Sequence, residues 1–207
     1  MTAGVWTVVV AAGRGSRYGG AKQYEPLGRG RVLDAALAAA GAVSEGVVLV
    51  VAAERAGDRE PGAGTVVVGG DTRSASVRRG LAAVPPGAEV IVIHDAARPF
   101  AEPALFRAVV TAVRAGADGA VPGVPLVDTV KQVAPDGTVL ATLDRSRLVS
   151  VQTPQAFRAD ALRAAHAAGG EATDDAALVE RAGGRVVVVP GTPDNRKITV
   201  ARDLRPT

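Results

Sequence analysis

The sequence predicts an α/β fold: a mostly parallel sheet with helices on both faces, and one β-arm projecting from it. Three observations carry that prediction. Continuous β-branched runs alternate with amphipathic Ala-rich stretches along most of the 207 residues, the pattern of strands joined by crossover helices. The apolar runs are unbroken, as those of strands buried on both faces are. Between residues 122 and 155 the pattern changes, with Pro and Gly punctuating it and Asp136-Gly137 offering a hairpin turn between two short runs.

Taken in order, Val5–Val10 is the first strand, and a glycine-rich loop follows it. Residues 32–42 space their apolar positions as a helix does. Residues 47–53 and Thr65–Val68 are apolar and β-branched, and so predict strands. Helical spacing returns at 74–84, and 90–94 is the next strand. Residues 103–115 predict a helix with Pro103 in its first turn and Gly116 just past its last, positions each residue favours. Residues 119–124 are a strand. The arm over 122–155 then pairs 128–133 with 138–143, helices follow at 159–168 and 174–182, and 185–189 is the last strand. One domain is expected at this length.

Composition narrows the function. With 47% hydrophobic and 22% charged residues the chain is neither disordered nor fibrous. The absence of cysteine excludes a disulfide framework, a zinc-thiolate site, an iron–sulfur cluster and a cysteine nucleophile, and makes a reducing cytoplasm the simplest home. No apolar run approaches the ~20 residues needed to span a bilayer. Met1-Thr2-Ala3-Gly4 leads straight into a strand, so no secretory signal and no membrane partner are expected. Net charge is +3 and aromatics are 3% of residues, too few for base-stacking platforms, and a nucleic-acid partner is not expected.

Three segments carry chemistry. The loop Ala11-Ala12-Gly13-Arg14-Gly15-Ser16-Arg17, continuing to Lys22-Gln23, lets backbone N–H groups approach a phosphate while its cations add charge. It is neither of two familiar phosphate loops: the dinucleotide pattern meets Tyr18 where it needs glycine, and the Walker pattern meets Ala21 where it needs lysine. His94-Asp95-Ala96-Ala97-Arg98-Pro99 follows a buried strand, at the carboxyl edge where open α/β sheets bind ligands. Asp95 there can hold Mg²⁺ against nucleotide phosphates, whereas His94 reads as a hydrogen-bonded structural residue. Asp194-Asn195-Arg196-Lys197-Ile198-Thr199 brings an acid and a lysine after the last strand.

Together these motifs, A-A-G-x-G-x-R…K-Q, H-D-A-A-R-P, T-P-Q-x-F at 153–157, T-D-D-A at 173–176 and D-N-x-K-I-T at 194–199, resemble the 2-C-methyl-D-erythritol 4-phosphate cytidylyltransferase family of the non-mevalonate isoprenoid pathway. The resemblance covers nearly the whole chain. It implies a Rossmann-like nucleotidyltransferase sheet, CTP and a sugar-alcohol phosphate as substrates, Mg²⁺ as cofactor, and a homodimer formed through the arm. It assigns the CTP cradle to Ala11, Ala12, Gly13 and Gly15, charge stabilisation to Arg17 and Lys22, a cytidine contact to Ser76, and the metal to Asp95. Arg98, Thr129 and Asp194 fall near the acceptor, and Arg145 and Lys197 position its phosphate. Ala21 stands where the family usually has proline.

Two other readings remain at this point. Ribitol 5-phosphate cytidylyltransferase shares the aspartate motif and much of the loop, and the matches at Thr129, Arg145 and D-N-x-K-I-T favour methylerythritol phosphate over it. A nucleotide-binding module without catalysis would not need Lys22, Asp95, Arg145 and Lys197 all together.

Overall fold

The computed structural model describes residues 3–13, 15 and 18–204. The chain runs β1 (Val5–Val10), the short pair β2 (Pro26–Leu27) and β3 (Gly30–Arg31), α1 (Val32–Gly41), β4 (Gly46–Val51), β5 (Thr65–Val68) and α2 (Arg73–Ala83). It continues through β6 (Val90–Asp95), α3 (Pro103–Arg114), β7 (Gly119–Pro125), β8 (Val130–Val133), β9 (Val139–Leu143), β10 (Val149–Val151) and β11 (Gln155–Arg158). It closes with α4 (Ala159–Ala167), α5 (Asp175–Arg181) and β12 (Val186–Pro190).

Among the described residues eight strands form one sheet, in the order β10-β7-β11-β6-β1-β4-β5 with β12 beside β7. β6, β1, β4 and β5 are parallel, as their unbroken apolar runs predict. Side chains alternate between the two faces of a strand, and each face has its own core. Val8, Val50, Ile91 and Ile93 pack with Val77 of α2, Leu162 of α4 and Leu178 of α5. Val9, Leu49, Val90 and Val92 pack with Leu33 and Leu37 of α1 and Phe106 and Val109 of α3. Phe106 is wholly buried, and truncating such a side chain to Ala costs about 3–5 kcal/mol. Thr72 caps α2 by accepting from Ala75 N at 3.0 Å, and Asp174 caps α5 by accepting from Ala177 N at 3.1 Å.

β1 has β4 on one side and β6 on the other. The chain goes outward from β1 to β4 and β5 and only then returns to β6. The carboxyl ends of β1 and β6 therefore flank a topological switch point, where open α/β sheets take their ligands.

The other half of the sheet departs from the sequence expectation. β11, which the sequence pattern does not predict, lies antiparallel between β6 and β7. β10 pairs along the same side of β7, because Gly119 and Ala120 meet both β11 and β12, and Gly123 meets both β10 and β12. Between the pairs Val151↔Gly123 and Ala156↔Ala120, one strand spends residues 152–155 where β7 spends only 121–122. The surplus bulges out at Gln152-Thr153-Pro154, where the Thr153–Pro154 peptide is cis. A proline within a short polar run hides a strand from the eye, which is why β11 is not legible in the sequence.

The segment leaving the main sheet is correspondingly shorter than 122–155. Residues 122–125 stay in β7, and 149–151 and Gln155 pair in β10 and β11. What projects is the separate two-stranded sheet β8–β9. Its turn is the expected one: Gly137 has φ +87° and Asp136 Oδ1 accepts from Thr138 N at 2.9 Å. Val133, Val139 and Leu140 of this hairpin are exposed.

Candidate active site

The ends of β1, β4, β5 and β6 open into one cleft of about 680 Å³. The loop after β1 forms one wall. Gly15 has φ +62°, and a Cβ there would lie 1.9 Å from Gly20 O, so no other residue fits the turn. Gly15 O accepts from Tyr18 N at 2.8 Å and Gly19 N at 3.0 Å. Buried Gln23 then clamps the loop, donating from Nε2 to Ala11 O at 2.7 Å and Gly13 O at 3.2 Å. Two carbonyl dipoles that would repel a phosphate are thereby satisfied.

The facing wall is the turn after β5. A Cβ on Gly69 would lie 2.5 Å from Ala12 Cβ and 2.8 Å from Ser76 Oγ, so glycine permits the two walls to approach. The Ser76 hydroxyl holds this turn, donating to Thr72 O at 2.9 Å and accepting from Gly70 N at 3.1 Å.

Asp95 ends β6 at the floor. Its Oδ2 accepts from Lys197 Nζ at 2.6 Å, and its Oδ1 lies 3.5 Å from Arg73 Nη2. Burial alone would raise the Asp95 carboxyl, but Lys197 and then Arg73 outweigh it and hold the group well below the usual carboxylate range.

The main chain around Asp95 is fixed by the bulge. Thr153 Oγ1 accepts from Asp95 N at 3.0 Å, which leaves the hydroxyl hydrogen for His94 Nδ1 at 3.2 Å. His94 Nε2 then carries the ring proton and donates to Arg98 O at 3.2 Å. Burial pushes the His94 imidazole down to about 4, against a smaller opposing pull from Asp95. It is neutral at neutral pH and structural, as the sequence suggested.

Lys197 is held by the same knot. Ile198 N donates to Ala97 O at 2.8 Å, Arg98 Nη1 donates to Asn195 O at 2.7 Å, and buried Asn195 donates from Nδ2 to Gln152 Oε1 at 3.1 Å and Thr153 O at 2.9 Å.

Residues 5–206 match the family model described as IspD, 2-C-methyl-D-erythritol 4-phosphate cytidylyltransferase. The chain belongs to this family. It is 47% identical, over 96% of its length, to a bifunctional IspD/IspF enzyme of Clavibacter michiganensis, of which it spans 52%. It is 48% identical, over 97% of its length, to the 2-C-methyl-D-erythritol 4-phosphate cytidylyltransferase of Nocardia farcinica, of which it spans 91%. The chain thus spans about half the length of the bifunctional relatives it matches. Among solved structures, that of the 2-C-methyl-D-erythritol 4-phosphate cytidylyltransferase of Thermus thermophilus is 33% identical with a TM-score of 0.79, covering 95% of this chain and 94% of the other.

Of the residues that the resemblance to the IspD family picks out, Ala11, Ala12, Gly13, Gly15, Lys22, Ser76, Asp95 and Lys197 line the cleft together. Arg17 lies outside the described residues. Arg98, Thr129, Arg145 and Asp194 are not among the cleft's lining residues. Arg98 binds the Asn195 carbonyl, Asp194 N donates to Thr192 Oγ1 at 3.2 Å, and Arg145 Nη1 donates to Val127 O beside the arm. Gln23 and Arg73 went unassigned in the sequence, yet the first shapes the loop and the second lines the cleft. Arg73 does carry a signal: a cation in the first turn of a helix opposes the helix dipole, so its presence there calls for a carboxylate partner.

Proposed function

We propose that this chain joins CTP and 2-C-methyl-D-erythritol 4-phosphate, giving 4-diphosphocytidyl-2-C-methyl-D-erythritol and pyrophosphate in the non-mevalonate isoprenoid pathway. The observation that carries the reading is that a glycine-rich loop and Lys22 share one cleft at the switch point with Asp95, on which Lys197 and Arg73 converge. In the reaction an acceptor phosphate oxygen attacks the α-phosphorus of CTP in line. The new P–O bond forms as the bond to the α,β-bridging oxygen breaks, and pyrophosphate leaves with that electron pair.

A phosphate monoester is already anionic at neutral pH, so neither a protein nucleophile nor a general base is required. The chain's work is positioning and charge. Lys22 and Lys197 offset the repulsion between two polyanions, and Arg17 joins them in this reading. Ser76 and the Gly69-Gly70 turn form the cytidine wall. Mg²⁺ suits Asp95, an ionised hard-oxygen ligand at a strand end, because magnesium is commonly held by one or two carboxylates plus substrate phosphates. When bound it neutralises phosphate charge.

Arg98, Thr129 and Asp194 are the proposed acceptor contacts, and Thr129 and Arg145 flank the projecting hairpin. Val127 is 82% exposed and Leu140 60%, and an isolated hairpin is marginal in water. We therefore propose that a second copy covers the arm in a two-fold dimer, with Arg145 of each chain serving the other's cleft. No helix of the described residues is long and apolar enough to cross a membrane, and the cysteine-free chain supports a cytoplasmic setting. The test is to incubate the protein with CTP, Mg²⁺ and either methylerythritol phosphate or ribitol 5-phosphate and to measure pyrophosphate. Release with the first acceptor is expected, and release only with the second would overturn the assignment.

A further inference from the structure

Behind the cleft lies a buried carboxylate that the proposed reaction does not use. Asp175, the first residue of α5, has a side chain only 1% exposed. Its Oδ1 accepts from His166 Nε2 at 3.0 Å, and its Oδ2 lies 2.8 Å from Arg73 Nη1. Arg73, the first residue of α2, forms part of the cleft wall, and its other terminal nitrogen is the one 3.5 Å from Asp95. Five groups from different parts of the chain thus alternate as Lys197, Asp95, Arg73, Asp175 and His166.

We propose that Asp175 is a positioning residue for nucleotidyl transfer, acting through Arg73; the inference rests on the cytidylyltransferase reading above. The guanidinium is planar and forked, so Arg73 reaches Asp175 from one terminal nitrogen and faces Asp95 with the other, whereas an ammonium would have to reach both from a single nitrogen. Asp175 holds one end close, and this limits Arg73 to a long contact with Asp95. His166 fixes the Asp175 rotamer from the far side. Without the Asp175 charge, the nearest anion left to Arg73 is Asp95 itself. The α2 dipole also pushes the cation away from its own helix end. Arg73 then closes on Asp95, takes up a carboxylate oxygen needed in the cleft, and withdraws a fixed donor from the wall.

The test combines Asp175→Asn, Arg73→Gln and the double variant, each assayed for pyrophosphate release, for CTP affinity by calorimetry with Mg²⁺, and for melting temperature. Asp175→Asn should weaken CTP binding and raise KM for CTP by about tenfold, and lower kcat as well. A purely structural role would reduce the folded fraction and leave KM and affinity unchanged. Because Asp175 acts through Arg73, the double variant should be no worse than Arg73→Gln alone. Arg73→Lys provides a second route should Asp175→Asn not fold: it keeps the charge and the Asp175 partner but cannot span both carboxylates, and should show the same KM rise. Wild-type KM in Arg73→Lys, or effects of the two single changes that simply multiply, would overturn the positioning role and leave the activity standing. Failure of the wild-type protein to bind CTP would overturn both.

Discussion

Replacing Asp95 with Asn separates the two jobs that the site gives this residue. The amide keeps the size of the side chain and removes its charge, leaving Lys197 and Arg73 facing a neutral group at contacts that were 2.6 and 3.5 Å. The cost to stability is modest. Lys197 is 39% exposed and Arg73 keeps Asp175, so each lost pair is worth about 0–1 kcal/mol and the sum at most about 2 kcal/mol. At this chain length a kcal/mol moves the melting temperature by roughly 2–4 °C, and the variant should melt at most about 8 °C lower and stay folded at 25 °C. The cleft meanwhile gains one net positive charge, so calorimetry without metal should show CTP bound at least as tightly as by the wild type. Turnover should fall about 10²- to 10³-fold, the scale of losing one preorganised electrostatic group, since an amide is a poor magnesium ligand. A variant that retains kcat within about fivefold would refute the reasoning. So would a loss of activity that tracks the unfolded fraction.

Burial of neutral His94 predicts an acid-sensitive fold: its folded value of about 4 lies below the ordinary histidine value of 6.5, so the unfolded chain binds more protons between those pH values and stability falls as pH drops through the window, by about 3 kcal/mol at pH 4. His94→Gln should lack that increment in urea denaturation at pH 7 and pH 4, and parallel losses in both proteins would count against it. Gln23→Ala strips a buried donor from the Ala11 and Gly13 carbonyls; a loss of about 1–3 kcal/mol in stability and a higher KM for CTP are expected, and an unchanged KM would detach Gln23 from the phosphate loop. Lys22→Ala and Arg145→Ala should each be nearly inactive, but an equal mixture that has exchanged subunits is half hybrid dimers with one intact site in two, so about a quarter of wild-type activity should return; continued inactivity would place Arg145 in its own chain's site.

The parallel half of the fold was legible because its strands are buried on both faces, and a run such as Val5–Val10 has no other reading beside a glycine-rich loop. Gly15 and Asp95, just beyond and at strand ends, followed from the same rule of carboxyl edges, whereas Lys197, seven residues past β12, was singled out by the family resemblance rather than by that rule. β11 was not legible. Its four residues, Gln155–Arg158, include two polar side chains, and Pro154 precedes them; Gln155 and Phe157 are buried for reasons that lie in β6 and β7 rather than in local pattern. Arg73 and Asp175 were hidden for a different reason. Each reads alone as an ordinary helix-start residue, and only the packing of α2 against α4 and α5 sets one charge against the other.

The antiparallel insertion also bears on the chemistry. A carboxylate aimed into a nucleotide cleft must have its own main chain held without spending its oxygens; β1 pairs with Asp95 on one side through Val10, but on the other side the β11 ladder stops at Ile93. The β10–β11 bulge supplies what is missing: Thr153 takes the Asp95 N–H while Gln152 and the Thr153 carbonyl hold Asn195. Asp95 and Lys197, 102 residues apart, are thus registered to each other through one kink in a third strand. Both carboxylate oxygens of Asp95 remain turned toward cations. Its acidity follows from that arrangement, because the bulge sets how closely Lys197 approaches a partly buried carboxylate that Arg73 of α2 faces from the other side.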